Sequence, residues 1–392
     1  MPQIYLDHAA TTPVRPEVWA AMEPFLGEDA GFGNPSSIHA YGQAAKAALD
    51  GARDALAECL GAEPSEIAFT GGGSEADNLA LVGLMLAREG RGRHLIVSKV
   101  EHEAVLETAR FLQRLGFEAT FLDVDEYGQV SPEAVRAALR PETALVSVMH
   151  ANNEVGTVND IAAIAEIAHE AGALMHTDAV QTFGILPTDV DALGVDALSL
   201  SAHKIYGPKG VGALYVRRGT AIEALIHGGG QERGRRSGTE NVAGIAGLAE
   251  AARLMAAERA ELAPRLARLR DRFFEQVRAA IPDVRLNGHP TARLPGNLNI
   301  SIPGVEGEAM LLNLDIAGIA ASSGSACASG AVEPSHVLLA MNLPDQAVRS
   351  ALRFTLGRGT SPEELDYTAQ TLARTSQRLR QMTGHALKES AA

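Results

Sequence analysis

From about residue 65 to 216, short apolar runs alternate with stretches whose apolar positions recur every three or four residues. The runs fall at 67–70, 94–98, 119–122, 145–149, 174–177, 197–200 and 213–216. Several are apolar almost throughout, as strands covered on both faces must be. The stretches between them predict helices. One spans 160–171, with Asp160 placed to cap the first turn and Gly172 to end the last. This alternation predicts an α/β fold, with a mostly parallel seven-stranded sheet between helices. Residues 241–281, rich in Ala, Leu, Arg and Glu, predict long helices whose arginines form a solvated face. After Pro282 the segments shorten, with strands at 297–302 and 351–355 and a helix near 306–314. The expected division is a large domain over 15–260 and a smaller α+β domain built from 1–14 and 261–392.

The length of 392 residues fits two domains of ~100–200 residues each. Apolar residues make up 46% of the chain, which marks it as folded and not disordered. Acidic residues outnumber basic ones, 48 to 34, for a net charge of −14. Such a balance repels phosphate backbones and anionic lipid, so neither nucleic acid nor a membrane is expected as a partner. No apolar run approaches the ~20 residues of a membrane helix. The start, MPQIYLDHAATTP, lacks the basic-then-apolar pattern of a secretory signal. Cys59 and Cys327 are the two cysteines. They rule out a disulfide framework, give no cysteine cage for zinc or iron–sulfur, and fit a reducing cytoplasm.

Ligands of open α/β sheets bind beyond the carboxyl ends of the strands. Here those ends carry polar clusters: Gly71 to Asn78 after the first run, Lys99 to His102 after the second, His150 to Glu154, Asp178 to Gln181, and Ser201 to Lys204. Five clusters at equivalent positions point to one site. Gly71, Gly72, Gly73 and Ser74 would free backbone N–H groups at a helix start, a phosphate cup. Without a GK[ST] ending this is not a P-loop, and a plain capped turn is the simpler alternative. Lys99 and Lys204 both follow apolar strands, an unusual place for a solvated side chain. Either, held in a dry pocket, could form a Schiff base with a cofactor aldehyde. A pyridine cofactor would also need a carboxylate for its ring nitrogen and a flat group on its face. Asp178 and His102 are candidates, unless they merely satisfy each other in a polar core.

Cys59 lies in an alanine-rich helical stretch and reads as buried and inert. Cys327 lies in SSGSACASG, a small-residue segment that leaves its sulfur reachable, and is a nucleophile candidate. Arg353 sits within the apolar run ALRFT. It reads either as a bidentate clamp on a substrate carboxylate or as half of a structural ion pair.

Nearly the whole chain, in order, resembles the cysteine desulfurases of the NifS/IscS group, fold-type I enzymes dependent on pyridoxal phosphate. The resemblance rests on YLDHAATTPVRPEV, NPSSIHAYGQ, FTGGGSEADNLA, VEHEAV, MHANNEVGTV, HTDAVQ, LSAHKIYGPKGVGALYV, HGGGQERGRRSGTEN, SSGSACASGAVEPSHVL and LRFTLGR. It implies that Lys204, not Lys99, bears the Schiff base. It implies that Asp178 pairs with the pyridine nitrogen, that His102 stacks on the ring as an acid/base, and that Gln181 bonds the ring hydroxyl. Asn153 would approach cofactor and substrate, and Gly73, Ser74, Ser201 and His203 would hold the phosphate. Thr239 would reach the phosphate of a partner subunit in an obligate homodimer, and Arg353 would grip the carboxylate of L-cysteine.

The implied chemistry runs from cysteine to alanine. Freed Lys204 moves the Cα proton, and the Cys327 thiolate takes the substrate sulfur as a persulfide. A loop over about 322–334 then carries it to an acceptor protein, such as an iron–sulfur scaffold or a thiolation enzyme. A selenocysteine lyase or another β-lyase is the alternative within the same cofactor class, disfavoured because a lyase needs no mobile cysteine. The phosphate turn reads GGGS where relatives often have a Ser-Gly-Ala-Thr run, and Ser74 keeps the hydroxyl. The C-terminus, GHALKESAA, lacks the longer tail that some members use to dock a scaffold, which leaves that partner open.

Overall fold

The computed structural model describes residues 3–28, 30–281, 283–323 and 334–382. A two-residue strand, β1 (Ile4–Tyr5), comes first. The seven apolar runs follow as β2 (Ile67–Thr70), β3 (His94–Ser98), β4 (Glu118–Leu122), β5 (Thr143–Ser147), β6 (Leu174–Asp178), β7 (Ala197–Ser201) and β8 (Gly212–Val216). They form one sheet in the order β2-β8-β7-β6-β5-β3-β4. Only β8 runs against its neighbours. Residues 202–211 are too few for the helical crossover that a parallel return requires. The fourth run was expected at 145–149 and is observed two residues earlier, as β5. Its backbone still bonds β6 past the strand's end, through His150 N–H to Asp178 O at 2.9 Å.

Alternation within each strand divides the core in two. Leu95, Val97, Leu145, Leu214 and Val216 face the helices Gly73–Ala87 and Glu103–Arg114. Ile96, Val146, Leu198, Leu200 and Tyr215 face the opposite side, under Ala40–Leu60, Ile161–Glu170 and Val242–Ala280. The helix expected at 160–171 is present. The Asp160 side chain accepts from Ala163 N–H at 3.2 Å, and Gly172 turns the chain at φ +74°.

Within 241–281 the chain makes one helix of 39 residues, Val242–Ala280, where several were expected. Pro264 lies inside it without ending it, because Leu262, Leu266 and Leu269 keep one buried stripe on both sides of the proline. The division expected at 260/261 therefore falls within a continuous helix. Beyond it, β9 (Arg285–Asn287), β10 (Asn297–Ser301) and β12 (Ala351–Thr355) form an antiparallel sheet, and β11 (Ile319–Ala320) pairs with β1. Phe354 of β12 meets Phe273 of the long helix edge-on at 5.4 Å between ring centres. No described helix is long and apolar enough to cross a membrane.

Candidate active site

A cavity of about 320 Å³ opens beyond the carboxyl ends of the central strands. It is lined by Gly73, Ser74, His102, Asn153, Asp178, Gln181, Ser201, His203, Lys204 and Arg353. These are ten of the candidate residues, drawn from six separate stretches of sequence. Ala9, Ala10, Asp77, Met149 and Val180 complete the wall.

Lys204 follows β7 in a short 3₁₀ turn, Ala202–Lys204. Its Nζ donates to Ala9 O at 2.6 Å and to Ala10 O at 2.7 Å. Burial, and then the nearby Arg353 guanidinium, lower its pKa to about 8. An amine that sheds its proton near neutrality can act as nucleophile and base. Lys99, the rival, is exposed and paired with Asp123 at the end of β4. Gln181 Nε2 shares the Ala9 carbonyl at 3.1 Å. His203 Nδ1 lies 3.1 Å from Thr11 Oγ1. Burial and the neighbouring lysines, Lys204 and Lys209, push His203 down to about 4.

The glycine turn enters the helix Gly73–Ala87 through Gly72 at φ +149°, ψ −179°, a conformation open essentially to glycine alone. A Cβ on Gly73 would lie 2.8 Å from Val180 Cγ2 and 3.4 Å from Ser201 Cβ, so any side chain there would fill the cradle. Bare backbone at a helix start beside Ser74 and Ser201 is what a phosphate group requires.

Asp178 ends β6 in the floor. Its Oδ1 accepts from Val180 N–H at 2.8 Å. Burial raises its pKa, opposed by His102 and Lys204. A buried carboxylate needs a cationic partner, and a protonated ring nitrogen is one. His102 is exposed at the rim, and its Nδ1 accepts from Ala104 N–H at 3.1 Å, capping the helix Glu103–Arg114. That leaves Nε2 as the nitrogen able to exchange a proton with a bound group.

Beneath the floor a polar row crosses three strands. Ser147 Oγ lies 2.8 Å from His176 Nδ1, and His176 Nε2 lies 3.0 Å from Ser199 Oγ. Asp77 stands at the end of the row, buried, with Oδ1 without a hydrogen-bond partner among the described residues and 3.8 Å from His176 Nε2. Burial raises the Asp77 carboxyl well above its ordinary value and lowers His176 to about 3. Glu101, bonded to Ser98 Oγ at 2.5 Å and Met149 N–H at 3.0 Å, rises to about 8 by burial.

Arg353 enters from β12 and is 4% exposed. Its Nη2 donates to Asp7 Oδ1 at 2.8 Å and its Nη1 to Asn153 O at 3.1 Å. Its Nε is buried without a partner among the described residues. The ion pair and the pocket-facing position thus coexist. Asn152 shapes the turn that presents Asn153: its Oδ1 accepts from Glu154 N–H and Val155 N–H at 2.8 and 2.9 Å.

Cys327 lies outside the described residues. The chain on either side of its segment is anchored at the pocket. Ser322 pairs with Arg353 through its backbone, Ser335 Oγ donates to Glu154 Oε2 at 2.5 Å, and His336 Nε2 lies 3.0 Å from Glu101 O. Thr239 is exposed and stands apart from the cavity, beside Gly71 and Arg236 in a separate depression. Sequence reasoning assigned no role to Asp7, Ala9 and Ala10. The motif YLDHAATTP was noticed, but two of the three act through backbone carbonyls, which leave no side-chain signal.

Residues 4–368 match the family described as Aminotransferase class-V. A cysteine desulfurase IscS of Dictyoglomus turgidum is 52% identical, over 96% of this chain and 95% of its own length. A cysteine desulfurase IscS of Methanosarcina thermophila is 49% identical, over 98% and 95%. A solved NifS-like protein superposes with a TM-score of 0.88 at 36% identity, covering 98% of this chain and 100% of the other.

Proposed function

The chain belongs to the class-V aminotransferase family and is a pyridoxal-phosphate-dependent cysteine desulfurase; on that premise we propose which of its residues move the sulfur, and to whom. The observation that carries the reading is the meeting of Lys204, Asp178 and Arg353 in one cavity. It unites an amine, a buried carboxylate and a guanidinium around a glycine-walled anion cradle. When bound there, pyridoxal phosphate supplies an aldehyde for amine capture and a ring that draws electrons from the substrate's Cα.

Gly73, Ser74, Ser201 and His203 hold the phosphate, Gln181 the ring hydroxyl, and Asp178 keeps the proton on the ring nitrogen. His102 covers the ring and exchanges a proton at Nε2. Arg353 and Asn153 hold L-cysteine by its carboxylate end, and Lys204 Nζ moves the Cα proton. The Cys327 thiolate would attack the substrate's sulfur, so that the S–S bond forms as the Cβ–Sγ bond breaks; the electron pair stays on the carbon fragment, which takes up a proton and leaves as alanine. The anchored flanks at Ser322 and Ser335 support delivery from the pocket's mouth. The acceptor is a protein of iron–sulfur assembly or thiolation, in the cytoplasm.

The test is to mix the holoenzyme with one equivalent of L-cysteine, then follow alanine release and intact mass. One added sulfur mapped to Cys327, with matching alanine, is the expected result. Cys327→Ser is expected to keep the cofactor and lose the persulfide. Alanine without persulfide would instead make the protein a lyase.

The working unit is a homodimer in which Thr239 reaches the partner's phosphate site. Its exposure outside the cavity of its own chain supports this. So do the exposed side chains of Trp19, Phe32 and Ile38, the last 92% exposed, which a partner would cover. Thr239→Ala is expected to weaken cofactor affinity by roughly tenfold, about 1.5 kcal/mol for a lost bond to a charged group. Equilibrium dialysis of the cofactor checks it, and unchanged affinity would remove Thr239 from the phosphate site.

A further inference from the structure

Residues 7–12 run between the two halves of the cavity. Asp7 Oδ1 takes Arg353 Nη2 at 2.8 Å, and shortly after it Ala9 O and Ala10 O take Lys204 Nζ. The guanidinium assigned to the substrate's carboxylate therefore already carries a carboxylate of the chain's own. The pairing leaves Arg353 only partly used. Nη2 meets one oxygen of Asp7, Nη1 meets a backbone carbonyl, and Nε has no partner among the described residues. A saturating fork-to-fork pair would engage two parallel N–H groups with both carboxylate oxygens. Asp7 also differs from Arg353 in burial: its side chain is 21% exposed, against 5% for the arginine. One partner can turn to water and the other cannot.

We propose that Asp7 is a positioning residue that occupies Arg353 while the site is empty and gives up its place to the carboxylate of the incoming amino acid. This rests on the reading of Arg353 as the carboxylate clamp. Before substrate arrives, Asp7 spares the cavity an unpaired buried guanidinium, the costly arrangement in a dry site. When the substrate binds, one carboxylate replaces another and the charge at Arg353 stays balanced. The residue released heads the segment whose carbonyls hold Lys204, so the exchange is linked to the amine through three residues of backbone. An amine without a carboxylate cannot make the exchange. Asp7 thus lowers the affinity for every amino acid while penalising simple amines not at all.

The experiment titrates the holoenzyme and its Asp7→Asn variant with L-alanine and with ethylamine, which differ only in the carboxylate. Affinity is read from the change in cofactor absorbance. Removing a competitor that holds Arg353 most of the time is expected to tighten L-alanine by roughly tenfold and leave ethylamine unchanged. Asp7→Glu, which restores a carboxylate, is expected to return L-alanine affinity towards the wild-type value. Asp7→Ser gives the same test should the amide variant fail to fold. Weaker L-alanine binding with ethylamine unchanged would overturn the proposal, because Asp7 would then only orient Arg353. Equal shifts for both ligands, or none, would overturn it too. No sulfur is transferred in these titrations, so their outcome is separate from that of the L-cysteine experiment.

Discussion

Lys204→Ala is expected to lower alanine release from L-cysteine by roughly 10³-fold or more, the scale of losing a positioned acid/base, while the chain stays folded. Among the described residues lining the cavity, Lys204 is the one lysine. The substitution removes a partly buried amine whose two bonds go to Ala9 O and Ala10 O, carbonyls at the cavity wall that bound solvent can satisfy. Lys204→Arg is no rescue, since a guanidinium keeps its proton at every accessible pH. The same side chain fixes a pH dependence. With its pKa held down to about 8, the unprotonated amine becomes the major form above that pH. Uptake of pyridoxal phosphate by the apoprotein, followed by absorbance, should therefore speed up as pH rises through 8 and then level off. The stability of the apoprotein follows the same sign. The unfolded chain holds the lysine proton up to the ordinary lysine range, so it binds more protons than the folded chain above pH 8, and stability rises there with pH. An uptake rate flat through pH 8 would place the reactive amine elsewhere.

The second large effect lies at the sheet's edge. Glu232→Ala is expected to cost about 3–5 kcal/mol of stability, the usual result of stranding one member of a buried pair. Arg53 Nη1 and Nη2 meet the two oxygens of Glu232 at 2.8 and 2.7 Å. The same carboxylate accepts from Phe69 N–H at 2.8 Å, and Arg53 donates to Ile67 O at 2.7 Å. The guanidinium lies over the Phe69 ring, 4.7 Å from its centre. One side chain thus satisfies an edge N–H of β2 and neutralises a cation from the helix Ala40–Leu60. It also pins a turn in which Glu232 and Arg233 adopt φ +47° and +57°, angles unfavourable for residues with side chains. Denaturant unfolding should show a lower midpoint with an unchanged slope. The double replacement Arg53→Met with Glu232→Leu should recover much of the loss, because no charge is left buried. If the single variant loses less than about 1 kcal/mol, the pair acts like a surface bridge and the burial is not decisive.

Much of the fold was legible because its strands are buried on both faces, and a run such as HLIVS or IAFT has few other uses. The cavity was legible for a related reason. Residues such as Asp178 and Lys204 are polar where an apolar strand has just ended, and neither propensity nor solubility calls for them there. What could not be read depended on neighbours in space. Lys99 and Lys204 look alike along the chain, and only the pairing of β3 with β4 sets Asp123 beside the first of them. Glu232 is one acidic residue in the charged stretch QERGRR, and its burial comes from Arg53, far away in sequence. Pro264 advertises a break that does not occur, because packing on both sides outweighs one missing backbone bond. Asp77 could pass for a helix-start residue on the surface, yet it is buried in the cavity wall, where burial raises its pKa.

The segment at residues 7–12 has a bearing on how the protein comes into being. It leaves the ribosome well before its partner Arg353, which follows 346 positions later. At about 5–20 residues per second, that wait lasts roughly 20–70 s. During synthesis the central sheet can form with Lys204 in place, while the segment bearing its two carbonyl acceptors still lacks the Asp7–Arg353 tie. The substrate clamp does not exist until the last strand of the small sheet has been made. A partly made chain is thus a scaffold without a working centre, and the enzyme becomes competent only when residues 7–12 meet β12.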